Sequence, residues 1–174
     1  MPFQQIRRVR LAAPPPGFTP VVEQHHSPNH GGRRPVTEGC VMHSTRGNAA
    51  TPALEYQATV NWFANPVSEV SAHAVIGFDG RIGFVVPDEL IAWHAGQHNN
   101  THLGLELVQQ RPGFTISEAQ YMAAAWLLKM WANKYKFPLN EFTLREHREM
   151  PQGQRQGKTD IGPPYSFERL SRYL

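Results

Sequence analysis

The spacing of apolar and polar positions changes near residue 39. Before it no period is sustained. Ala13-Pro14-Pro15-Pro16-Gly17, Ser27-Pro28-Asn29, Gly31-Gly32 and Arg33-Arg34-Pro35 interrupt every run, and proline at this density removes donors that helices and ladders need. Residues 1–38 are therefore expected to be an irregular arm on the surface of a folded unit, residues 39–174. That unit begins with Gly39-Cys40-Val41-Met42-His43-Ser44, a short apolar run of the kind a buried strand shows. Thr51-Pro52 opens a helix, with threonine as cap and proline in the first turn. Leu54, Ala58 and Trp62 recur at four-residue spacing along it, and Asn65-Pro66 stops it. Residues 72–77 and 81–86 flank Phe78-Asp79-Gly80 and read as a hairpin. Residues 102–108 alternate, with Leu103, Leu105 and Leu107 on one face and Gly104, Glu106 and Val108 on the other. Thr115 and Glu118 have capping-box spacing. A helix follows to about residue 135, with Tyr121, Ala125, Leu128 and Ala132 as its stripe. Residues 142–144 form a last short strand, 148–164 a loop and 166–173 a closing helix. No internal repeat is present. Mixed but not strictly alternating strands and helices predict an α/β single domain: a central mixed β-sheet flanked by helices, with an irregular N-terminal arm.

Composition narrows the class. The 174 residues are 40% hydrophobic, enough for one real core and too few residues for two ordinary domains. A single cysteine, Cys40, excludes an internal disulfide and a cysteine-based zinc finger. No apolar run reaches the roughly 18 residues of a membrane span. The first residues lack the apolar core of a signal peptide. The expectation is synthesis in the cytoplasm, followed by action there or by release through a route not written in the chain. Net charge is only +3, but it is uneven. Residues 1–48 hold six Arg against two Glu, whereas residues 49–174 hold 11 basic against 12 acidic groups. Arg7, Arg8 and Arg10 make the arm cationic and suited to an anionic cell envelope. The folded unit has no basic-aromatic stripe for nucleic acid. A monomer without a nucleic-acid partner is expected.

Several polar groups stand where chemistry is done. His43 ends an apolar strand, where side chains emerge at a sheet's edge; the bland reading is a hydrogen-bonded core histidine. His147 follows a short strand within Arg145-Glu146-His147-Arg148-Glu149, and Asp160 lies among glycines and prolines where a turn or cap aspartate is ordinary. Their separations, 104 (147 − 43) and 13 (160 − 147) residues, fit no short zinc signature. What they share is ligand chemistry: two imidazoles and one carboxylate leave a tetrahedral zinc one open position. Glu106 is a carboxylate inside an apolar strand and needs a partner or a task. Lys158 lies two residues before Asp160; its ordinary reading is a solvated loop lysine. His25, His26 and His30 fall in the arm.

Taken together these residues resemble the zinc-dependent N-acetylmuramoyl-L-alanine amidases of the type-2 family, which includes phage lysozyme-like amidases, cell-wall recycling amidases and animal peptidoglycan-recognition proteins. The segments that carry the likeness are Val41-Met42-His43-Ser44-Thr45, residues 70–80, Ala92-Trp93-His94-Ala95-Gly96, residues 103–108, Glu146-His147 and residues 158–163, in the family's order. The resemblance implies His43, His147 and Asp160 as ligands of one zinc ion. It implies Glu106 as the catalytic glutamate of the bacterial recycling-type branch, and Lys158 as the lysine facing the oxyanion. Trp93, His94, Asn99 and Asn100 fall where the family lines its substrate groove. Two positions depart from the pattern. Ala72 stands where the lysozyme-like and animal branches carry tyrosine, just before His73, which reads as structural. Ile161 stands where proline usually follows the ligand aspartate.

The implied reaction is hydrolysis of the amide between the lactyl group of N-acetylmuramic acid and L-alanine in peptidoglycan. A lytic enzyme of phage type or of the bacterial cell wall is expected, the cationic arm favouring it over an intracellular recycling amidase. A non-catalytic peptidoglycan-binding module is the rival reading, and such modules usually lack a complete metal triad.

Overall fold

Strand β3 (Gly39–Ser44) is buried at every position, because its neighbours β7 (His102–Leu107) and β8 (Leu144–Glu146) pair with it on both sides and both faces are covered. The computed structural model describes residues 13–174. In it the main sheet has six strands in the order β1-β5-β4-β7-β3-β8, with β1 (Val22–Gln24), β4 (Ala74–Ile76) and β5 (Ile82–Phe84) completing it. Only β4 and β5 run antiparallel to each other, as the two arms of the hairpin; the other pairs are parallel. A second, two-stranded sheet joins β2 (His30–Arg33) to β6 (Leu90–Ala92).

The alternation along β7 sorts the protein into layers. Leu103, Leu105 and Leu107 join Cys40, Met42, Ala74, Ile76 and Ile82 in the main core beneath helix α2 (Glu118–Tyr135). On the opposite face, Val41 lies beside Gly104 and His43 beside Glu106. That face carries helix α1 (Pro52–Ala64), whose Tyr56, Val60 and Phe63 pack with Val75 and Val108. Two short helices, α3 (Pro151–Arg155) and α4 (Phe167–Ser171), follow β8.

The expected elements are present, with instructive shifts. Helix α1 starts at its expected cap, where Leu54 N–H donates to Thr51 Oγ1 at 3.2 Å. Its inward face, however, is Tyr56, Thr59, Val60 and Phe63, whereas Leu54 and Trp62 are 56% and 53% exposed. The spacings of three, four and seven residues are those of a buried stripe; the Leu54-Ala58-Trp62 row lies beside it, not on it. The capping box of α2 is formed by Ser117 and Gln120, not by Thr115 and Glu118. Ser117 and Gln120 win because Gln120 is also buried and donates its amide to Val108 O at 2.8 Å, tying the helix start to the end of β7. The arm is not wholly irregular. Prolines 20, 28 and 35 flank β1 and β2 without interrupting them, so both short strands keep their donors. Arg7, Arg8 and Arg10 lie outside the described residues. No helix among the described residues is long and apolar enough to cross a membrane.

Candidate active site

Three side chains far apart in the sequence meet at the C-terminal edge of the main sheet. Met42 of β3 is in register with Glu146 of β8, so His43 and His147, one residue further on, emerge at the same level from adjacent strands. Asp160 arrives from the segment between α3 and α4, which is tightly fastened. Arg46, just beyond β3, donates to Thr159 O at 2.7 Å and Ile161 O at 2.9 Å, and also to the Thr159 hydroxyl. Gly162 N–H donates to Glu146 at 2.8 Å, and Arg148 N–H to Asp160 O at 2.7 Å.

One ligand atom from each of His43, His147 and Asp160 lies within 4.8 Å of the others. Asp160 Oδ2 is 3.1 Å from His147 Nδ1 and 3.4 Å from His43 Nδ1. Burial opposes ionisation of Asp160, but the hydrogen bond to His147 and the nearby His43 ring outweigh it and hold the carboxyl well below the usual range. Burial lowers the His43 pKa, against the pull of Asp160, which keeps a lone pair available for coordination. Two imidazoles and one ionised carboxylate on the wall of an open cleft form a cluster capable of coordinating a metal ion, and the donor set fits a borderline divalent cation. Cys40 belongs to the opposite face, buried in the main core with its thiol pushed up, and adds no thiolate.

The cleft has a volume of about 750 Å³, within the range of small-molecule sites. It contains the triad together with Glu106, Lys158, Trp93 and His94. Glu106 is partly buried beside His43 on β7. Burial, with Asp160 and Glu55 nearby, pushes its carboxyl well above the usual range, and Lys158 opposes that only in part. Lys158 is exposed at the cleft mouth. Asn99 and Asn100 do not line the cleft. Asn99 Oδ1 accepts from the backbone N–H groups of His94 and Ala95, at 3.0 and 2.6 Å, and so builds the loop that carries His94, while Asn100 is exposed elsewhere. His73 is fully buried and structural, accepting at Nδ1 from Gly104 N–H at 2.8 Å. His94 Nδ1 lies 3.1 Å from His43 Nε2.

Three further cleft residues carry no sequence signal of their role. Arg46 fastens the Asp160 segment as described. Glu55 is buried on α1, accepts from Ala49 N–H at 3.1 Å and stands close enough to Glu106 to raise its pKa. Trp62 offers a half-exposed indole at the rim.

A family model described as N-acetylmuramoyl-L-alanine amidase matches residues 32–163. The chain belongs to this amidase family. The matched stretch contains the whole triad with Glu106 and Lys158, and leaves most of the arm outside. N-acetylmuramoyl-L-alanine amidase A of Achromobacter lyticus is 37% identical over 71 residues, 40% of this chain and 36% of that relative. The match thus spans little more than a third of the relative. Among solved amidase-like structures, a selenomethionine derivative of AmpD has a TM-score of 0.69 at 23% identity, covering 94% of this chain and 99% of its own. The Staphylococcus aureus hydrolase AmiA, solved with its ligand, has a TM-score of 0.63 at 20% identity, covering 90% and 85%. The endolysin amidase LysCS from Clostridium intestinale gives 0.61 at 18% identity, covering 87% and 93%. At these identities the likenesses speak for the shared fold.

Proposed function

We propose that this amidase hydrolyses the bond between the lactyl carbonyl of N-acetylmuramic acid and the nitrogen of L-alanine in peptidoglycan, with zinc as its metal. The observation that carries the reading is the convergence of His43, His147 and Asp160 within 4.8 Å, inside the family-matched segment and beside a partly buried glutamate. When bound, zinc supplies Lewis acidity, polarising a carbonyl and bringing the acidity of water towards neutrality. His43, His147 and Asp160 are the residues that would hold it.

Glu106 is the proton carrier. A carboxyl held above its usual range by burial is matched to a task near neutral pH: it takes a proton from the attacking water and returns it to the leaving alanine nitrogen. Lys158, at the cleft mouth near the same atoms, sets a positive charge where negative charge grows on the carbonyl oxygen. Trp93 and Trp62 give the cleft apolar walls for the sugar ring and peptide stem. The complete triad with Glu106 and Lys158 favours an enzyme over a binding module.

Mass spectrometry of purified peptidoglycan after digestion tests this. New L-alanine amino termini with intact glycan strands are expected, and chelator abolishes them until zinc is restored. Cleavage within the glycan or the stem, or no cleavage by zinc-loaded protein, overturns the reading.

A further inference from the structure

We propose that His94 is a positioning residue for the metal site: by accepting a hydrogen bond from His43 Nε2, it fixes the His43 tautomer that keeps Nδ1 free for a cation. The proposal rests on the metal reading of the triad and assigns His94 a task other than substrate contact.

One chain of polar atoms links the backbone of β7 to the triad. His94 Nε2 is 3.2 Å from the carbonyl oxygen of His102. A carbonyl only accepts, so the proton of a neutral His94 sits on Nε2. Its Nδ1 is then an acceptor, and the group before it, at 3.1 Å, is His43 Nε2. His43 therefore donates from Nε2, and its second nitrogen, Nδ1, is the one that faces Asp160 Oδ2 at 3.4 Å. Reversing every proton would set the His94 Nε2 lone pair against the His102 carbonyl. A backbone oxygen on β7, which cannot titrate or rotate away, thus determines the protonation of a ligand two rings distant. His94 has no nitrogen left to offer a substrate.

The seat of the His94 ring is built for it. A Cβ at Gly104 would come within 2.7–2.9 Å of His94 Cγ, Cδ2 and Nδ1, so only glycine lets the ring lie against β7 there. The same Gly104 is held from behind by its N–H bond to His73. Outer partners of this kind orient metal-binding histidines and raise their affinity.

The experiment measures Zn²⁺ affinity by competition with a chromogenic chelator for the wild type, His94→Phe, His94→Asn and Gly104→Ala. It also records long-range ¹H–¹⁵N spectra of the histidines in the metal-free and zinc-loaded wild type. His94→Phe keeps a ring and loses the acceptor, and is expected to weaken zinc about 10- to 100-fold. His94→Asn, whose Oδ1 replaces Nδ1, recovers most of the loss, and Gly104→Ala weakens zinc by displacing the ring. In the spectra His43 carries its proton on Nε2 in both forms. Unchanged affinity in His94→Phe, or a metal-free His43 protonated on Nδ1 alone, overturns the proposal. A wild type that binds no Zn²⁺ overturns the metal reading instead, and the metal-free spectrum still decides the tautomer. That spectrum also decides it if the variants do not fold.

Discussion

Glu106 occupies a place that an apolar strand would give to valine or leucine, and its two duties pull in opposite directions. In the proposed role of proton carrier it would be needed for turnover; as a carboxyl pushed up by burial it resists ionisation in the metal-free fold. Glu106→Gln is accordingly expected to retain zinc and lose about 10²- to 10⁴-fold in kcat, while the metal-free variant melts higher than the metal-free wild type at pH 7. Zinc analysis, turnover and calorimetry on one preparation check all three. His73 adds a pH dependence of its own. Burial, reinforced by Arg34, lowers its pKa from 6.5 to about 3. Between those values the unfolded chain binds the proton and the folded one does not, so stability falls as pH falls. From pH 7 to pH 5 the His73 share of that loss is about 2 kcal/mol. Urea unfolding of His73→Asn, which keeps an acceptor for Gly104, should show a correspondingly shallower pH slope. At this scale the sequence was readable where a residue contradicted its neighbours. A carboxylate among leucines flagged Glu106, whereas His43, His147 and Asp160 shared only ligand chemistry until the family resemblance joined them. Arg46 and Glu55 contradict nothing around them in sequence. The inward turn of Asn99 and the use of both His94 nitrogens are facts of three-dimensional contact that no spacing records.

Elements were readable where a local rule acts alone. Thr51-Pro52 set the start of α1, the apolar run set β3, and Asp79-Gly80 set the hairpin. They were misread where two rules compete. Thr115 and Ser117 are both competent caps, and the choice fell to the buried Gln120 amide. The Ser117 hydroxyl accepts from Gln120 N–H at 3.1 Å, so Ser117→Ala is expected to cost about 1 kcal/mol, read as a lower urea midpoint. Thr115→Ala should leave that midpoint nearly unchanged. The Leu54-Ala58-Trp62 row of α1 is apolar for a reason other than core burial: Ala58 and Trp62 line the cleft. Strands β2 and β6 carry little signal because each is short and, among the described residues, pairs only with the other, some 60 residues away.

For the whole molecule, the α/β class and the mixed sheet were legible, because apolar strand runs interspersed with capped helices admit few other layers. The strand order was not, since it depends on which edges meet. The cationic arm remains the part whose task is argued from charge alone. If Arg7, Arg8 and Arg10 draw the enzyme to an anionic envelope, replacing all three by glutamine should reduce lysis of intact cells at low salt several-fold more than hydrolysis of soluble muropeptides. Equal loss on both substrates would remove the arm from that role. The arm also has a mechanical duty. Strand β1 covers the outer side of β5, which would otherwise present unpaired amides and carbonyls at the rim of the sheet. A protease nick just after Gln24 would free that rim to template pairing with another copy. Shelf life in concentrated solution is therefore expected to shorten after such a nick, read as rising light scattering, although the three residues of β1 lie remote from any chemistry.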